Sequence, residues 1–175
     1  NEFALDATYS RKFSETWSGA VAARYIHSNL TQGVAIGGVN TKPGQSIAAD
    51  VSVYHQSELN WRDFEYAEFA FGVNISNIGT KISYSDGAEK DFIPTNLRFG
   101  PRLTLDLDDY NRLSFHIDVN KLLVPTYPQR DPDTDSIIAG MDPDVSVVEG
   151  IIQSWYDAPG GFEEELREFY FSTGV

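Results

Sequence analysis

The segment LTLDLDDYNRLSFHIDV, residues 103–119, decides the fold. Leu103, Leu105 and Leu107 alternate with Thr104 and Asp106. After Asp108-Asp109-Tyr110-Asn111 the alternation resumes, with Leu113, Phe115, Ile117 and Val119 set against Arg112, Ser114, His116 and Asp118. A period of two sends successive side chains to opposite faces of a strand. A short polar break between two such runs is a hairpin turn.

The same alternation recurs on both sides of this hairpin. It appears as Phe3, Leu5, Ala7 and Tyr9, as Val21, Ala23 and Tyr25, and as Ile47, Ala49, Val51 and Val53. Phe69, Phe71, Val73 and Ile75 follow, then Leu97 and Phe99, with Pro101 interrupting that strand without shifting its phase. A last run begins near Phe169 and Phe171. The opposite phase carries Asp6, Arg24, Asp50, Arg98, Arg102, Asp106 and Asp118. The reading is an all-β, antiparallel chain of about seven strands, each with one apolar and one polar face.

Several runs last ten residues or more, against about 5 to 6 for strands of ordinary sheets. They match the ~9 to 11 residues with which a tilted strand crosses a bilayer. The connections alternate in length: short at 12–17, long at 31–45, short to medium at 57–66, long at 77–93, very short at 108–111 and very long from 124 to about 165. Short turns on one side and long loops on the other form the outer-membrane barrel arrangement. Tyr9, Trp17, Tyr54, Trp61, Tyr84, Phe92 and Tyr110 lie near strand ends, where amphipathic rings meet lipid headgroups. A soluble β-sandwich adhesin, its apolar faces turned inward, is the competing architecture, because alternation alone does not say which face meets water. Seven strands are half of a larger barrel, since single-chain barrels close with an even number.

Composition narrows the function. Thirteen basic against 26 acidic residues leave a formal charge of −13, which repels phosphate backbones and excludes nucleic acid as a partner. No stretch reaches the 18 apolar residues of a membrane helix. With no cysteine there is no disulfide, thiolate site or cysteine nucleophile. The chain opens at Asn1, without an initiator Met, and is expected to be a piece of something longer.

Catalytic motifs are missing, and His27, His55 and His116 are separate in sequence, so no catalytic residue is assigned. Gly33-Val34-Ala35-Ile36-Gly37-Gly38 lacks phosphate-loop spacing and reads as a flexible loop. Asp131, Asp133, Asp135 and Asp142 follow part of a calcium-loop pattern, but Ser136 replaces its glycine and Pro132 interrupts it, so a solvated acidic loop is expected. No metal or cofactor is assigned.

One segment breaks the β rhythm. Val147, Val148, Ile151, Ile152 and Trp155 recur at helical spacing. Ser146 and Glu149 form a capping-box pattern before them, and Asp157-Ala158-Pro159-Gly160-Gly161 ends the run. A short helix in the long loop is predicted, packed either on the loop and barrel rim or on a partner. Val148, Ile151, Ile152 and Trp155 are the candidate partner-binding residues, because burying such side chains is worth about 1.5 to 3 kcal/mol each.

Five segments carry a family resemblance: YSRKF at 9–13, FGVNISNIGTKISY at 71–84, DFIPTNLR at 91–98, NKLLVPT at 120–126 and DAPGGF at 157–162. In them the chain resembles the PorV (LptO) family, outer-membrane components of the type IX secretion system of Bacteroidetes, related to FadL barrels. The resemblance implies a transmembrane barrel of 14 strands in the full protein, of whose single outer-membrane barrel domain residues 1–175 would be the central part, with a plug region and closing strands outside this chain. It implies a non-enzymatic role: binding the C-terminal signal domains of secreted cargo, receiving them from the SprA translocon and passing them to the PorU attachment complex, within outer-membrane lipids. The loops at 31–45, 77–93 and 124–165 would supply the contacts. The second function considered is a FadL-type channel for hydrophobic small molecules, which needs an apolar lumen pocket that the polar phase does not offer.

Overall fold

The computed structural model describes residues 1–30, 41–61, 64–85 and 90–175. The expected loop at 31–45 therefore lies largely, and its glycine-rich stretch wholly, outside the described residues.

The seven alternating runs form one antiparallel sheet: β1 (Glu2–Lys12), β2 (Trp17–Ser28), β3 (Gly44–Glu58), β4 (Tyr66–Gly79), β5 (Asn96–Asp108), β6 (Asn111–Leu122) and, after the long loop, β9 (Phe169–Gly174). Sheet order follows chain order, so every connection joins neighbours. The first six strands are 11 to 15 residues long. The hairpin turn between β5 and β6 is held by its own chemistry, because the Asp108 carboxylate accepts hydrogen bonds from the backbone N–H groups of Tyr110 and Asn111, both at 2.9 Å.

Among the described residues no second sheet covers the apolar face, as the inward-facing sandwich would require. Leu5, Val21, Ile47, Val51, Phe115 and Ile117 stay open on that face, with Leu5 and Ile47 each 66% exposed. An apolar surface this extended faces either a partner or a membrane. The tightest apolar cluster lies on the opposite face, where Ile82 and Ile93 of the 80–95 connection close over Ala48. There is room for them because a Cβ on Gly79 would stand 2.7 Å from both Ala48 Cβ and Ile93 Cδ1, and one on Gly44 would stand 2.8 Å from Ile82.

Ion pairs cross the polar face from strand to strand. Arg24 on β2 bridges Asp6 on β1 at 2.5 Å and Asp50 on β3 at 3.2 Å. Arg102 on β5 meets Glu68 on β4 at 2.6 Å, and Arg98 meets Asp118 on β6 at 3.1 Å. Arg24 and Asp6 stand directly opposite each other, whereas the other three pairs are diagonal neighbours on adjacent strands, within reach of long side chains.

Aromatic rings mark two levels of the apolar face. Near the short turns, Trp17 lies 4.5 Å from His55 and 5.6 Å from Phe71, ring centre to ring centre. Near the long loops, Phe3 stacks on His27 at 5.1 Å. Along β2, Trp17 and His27 are separated by about ten residues of ~3.3 Å each, which at a tilt near 40° spans roughly 25 Å, the height of a barrel's apolar band. Three aromatics expected at the headgroups lie elsewhere. The Tyr54 hydroxyl accepts a hydrogen bond from Arg102 on the polar face, because its even number puts it on that phase. Tyr84 packs against the Ile82 cluster, and Phe92 sits beneath the Lys81 ammonium, 4.4 Å from its ring centre.

The barrel is not closed. β1 pairs only with β2 and β9 only with β6 among the described residues, so each leaves one row of backbone N–H and C=O groups open.

Candidate partner-binding site

The long loop between β6 and β9 has more structure than its sequence announces. The predicted helix is present as α1 (Val147–Gln153), and Ser146 caps it by accepting a hydrogen bond from the Glu149 N–H. Two further features were not foreseen: a small ribbon of β7 (Gln129–Arg130) and β8 (Ile137–Ala139), and a second short helix, α2 (Phe162–Arg167). The glycine pair read only as a stop signal also starts α2: Gly161 adopts φ 69° at its N-cap, and Glu163, Glu164 and Glu165 complement its first turn.

A buried polar knot fixes this loop to the barrel. Lys121 continues the apolar phase of β6, where a bare ammonium would stand in line with apolar side chains. It is instead 1% exposed, paired with Glu165 at 3.2 Å and Glu168 at 2.5 Å. The rings of Trp155 and Phe169 close over it, at 5.6 and 5.2 Å from its nitrogen. Glu165 also accepts from the Ala158 N–H and Glu168 from the Thr126 hydroxyl, both at 2.8 Å. The Asp157 carboxylate accepts from the Thr126 N–H at 3.0 Å and from Gln153 at 3.3 Å, while its other oxygen has no donor. Burial pushes the Asp157 carboxyl above the ordinary range; those two hydrogen bonds oppose the shift, and the charges of Glu165 and Glu168 add to it. A lysine continuing an apolar phase at a strand end was the available sequence signal for this knot.

α1 therefore sits with its smaller and more polar side inward. Gly150 and Gln153 are buried, followed by Ser154. Gly150 lies so close to the 80–95 connection that a Cβ there would stand 2.7 Å from the Phe92 ring. Facing outward at spacings of four and three are Val148, 66% exposed, Ile152, 57% exposed, and Trp155, 46% exposed and just beyond the helix end. Ile151 is half-buried and does not join that stripe. Tyr156 extends the exposed surface.

The described residues of the 77–93 connection fold against the polar face and α1. Lys81 pairs with Asp144 at 3.3 Å, tying the two long connections together. The acidic run after Arg130 forms a turn: the Asp131 carboxylate accepts from the N–H groups of Asp133 and Thr134, which hold it below the usual carboxylate range. Among the described residues no group of three or more histidine or carboxylate side chains converges where it could hold a metal ion.

No helix among the described residues is long and apolar enough to cross a membrane, which leaves open crossing by strands. No curated protein matches the chain. A family model described as type IX secretion system protein PorV matches residues 1–130, from β1 through β7. The match leaves α1, α2 and β9 outside it. A sheet of long strands with an exposed apolar face and a charged opposite face agrees with that match over about three quarters of the sequence, and the chain belongs to the PorV family of type IX secretion system components.

Proposed function

We propose that the chain is part of the wall of an outer-membrane barrel that binds secreted protein and holds no catalytic site. Its outer loops take cargo C-terminal signal domains at the SprA translocon and pass them to the PorU attachment complex. The observation that carries the binding role is the outward stripe Val148, Ile152 and Trp155 on a helix whose other side is pinned by the Lys121 knot. A rigid base with an apolar outer face is how helices present anchors to a partner.

Membrane placement is supported by the physics of the sheet. The apolar face has nothing over it, its aromatic levels are spaced for a bilayer, and the open rows on β1 and β9 need further strands, since unpaired backbone groups are not tolerated in lipid. Ion pairs on the other phase, together with Ile82 and Ile93 folded over its loop end, favour this reading over a channel for hydrophobic small molecules.

Replacing Ile152 and Trp155 together by Asp tests the role. Capture of the translocon and of cargo C-terminal domains by the affinity-purified protein is expected to fall, while the barrel still inserts. Unchanged capture would remove the stripe from the binding surface.

A further inference from the structure

The 123–168 loop carries eleven acidic and two basic side chains, so −9 of the chain's −13 is concentrated on one connection. Among the described residues, three cations answer this charge. Lys121 is sealed on Glu165 and Glu168, Lys81 sits on Asp144, and Arg130 reaches Asp135 at 3.6 Å. Two exposed carboxylates are left on or beside α1: Glu149 follows Val148 directly and lies one turn before Ile152, and Asp142 is tied to the helix by its backbone carbonyl, which takes a hydrogen bond from Gln153. An apolar strip set in this field repels an anionic lipid headgroup layer and any acidic protein surface.

Resting on the binding role above, we infer that the stripe's occupant is a cationic protein segment, an apolar anchor of a few large side chains flanked by Lys or Arg. The anchor buries Val148, Ile152 and Trp155, and the flanking cations meet Glu149 and Asp142. Charge then chooses the partner and speeds its arrival, and the apolar contact keeps it bound. Because these carboxylates are exposed, the effect is screened within about 10 Å at 0.1 M salt and weakens as salt is raised.

The test uses the full-length protein in neutral detergent and two dye-labelled amphipathic peptides with the same apolar residues. One carries lysine at every polar position and the other glutamate. In fluorescence anisotropy titrations the lysine peptide is expected to bind about tenfold or more tightly than the glutamate peptide at low salt. That preference should shrink in 0.5 M salt and be lost in the Asp142→Lys/Glu149→Lys variant. Equal binding of both peptides by the unmodified protein, with neither held by Ile152→Asp/Trp155→Asp, overturns the charge selection and leaves the docking role standing. Undiminished lysine-peptide binding by Ile152→Asp/Trp155→Asp overturns both.

Discussion

Asp50 on β3 accepts a hydrogen bond from the backbone N–H of Asn77 at 2.8 Å, and Asn77 stands at φ 59°, in the left-handed region. At this point the β3–β4 register slips: Ala49 faces Ile78, whereas Val51 faces Ile75. Ser76 and Asn77 thus oppose the single residue Asp50, which makes a β-bulge. Its consequence is a change of phase. Phe69 to Ile75 reach the apolar face on odd numbers, and Ile78 reaches it on an even one. The Asn77 side chain also takes a hydrogen bond from Arg24, so the bulge is tied to the ion-pair row that crosses from β1 to β3.

Asn77 is therefore held both by its backbone conformation and by its side-chain partners. Asn77→Gly keeps the left-handed backbone and is expected to retain most of the barrel's stability. Asn77→Val forces a β-branched residue into that conformation and should cost about 1–3 kcal/mol. Unfolding of the two variants in detergent, followed by the gel shift between folded and heat-denatured forms, gives the comparison. Equal midpoints would mean that the bulge tolerates any side chain.

The fold was legible because its determinants are local and repetitive. Each of the six long strands shows its phase within its own residues, and connection length gives the sidedness. Tyr54 was misplaced because an aromatic near a strand end suggests an interface only if its phase is ignored. Tyr84 and Phe92 fold inward through contacts with Ile82, Gly44 and Gly150, partners that no periodicity reveals. For the site, helical spacing and the Ser146 cap gave α1. The two-residue and three-residue strands of the ribbon were too short to show alternation. The Lys121 knot joins residues more than forty positions apart, and only the lysine's own misfit with its apolar phase hinted at it.

Glu68 and Arg102 should behave as a unit. The Glu68 side chain is 10% exposed and its carboxylate accepts from both Arg102, at 2.6 Å, and the Tyr66 hydroxyl, at 2.9 Å. Arg102→Leu leaves that carboxylate with one donor and no counter-charge, and is expected to cost about 1–2 kcal/mol, the lower part of the range for a stranded buried charge because Arg102 itself is nearly half exposed. Glu68→Gln/Arg102→Leu should recover most of that loss. A double-mutant cycle on urea unfolding in detergent measures it, and additive losses would show that the pair is not coupled.

Removal of the Lys121 charge should loosen the long loop while leaving the first five strands folded. Lys121→Met strands Glu165 and Glu168 with no cation, a local cost of about 3–5 kcal/mol for a buried pair broken on one side. Limited proteolysis is expected to cut between 140 and 168 much faster than in the parent. Lys121→Met/Glu165→Gln/Glu168→Gln, which removes the stranded charges together, should restore resistance. If Lys121→Met is cut no faster, the knot does not hold the loop.

Asp157 gives the loop a pH dependence whose sign follows from its burial. Its carboxyl is held above the ordinary range near 3.9, so the folded loop binds this proton more tightly than the opened loop does. The contribution of this group to loop stability is complete below pH ~4, where both states are protonated, and is lost as pH rises through the raised value. Asp157→Asn keeps an acceptor for the Thr126 N–H and cannot ionise. At pH 8 its Thr126 and Ala158 amides are therefore expected to be better protected from hydrogen exchange than the parent's, once intrinsic rates are divided out. The difference should close as pH approaches 4. Poorer protection of the variant at pH 8 would mean that the ionised carboxylate's hydrogen bonds outweigh the cost of burying its charge.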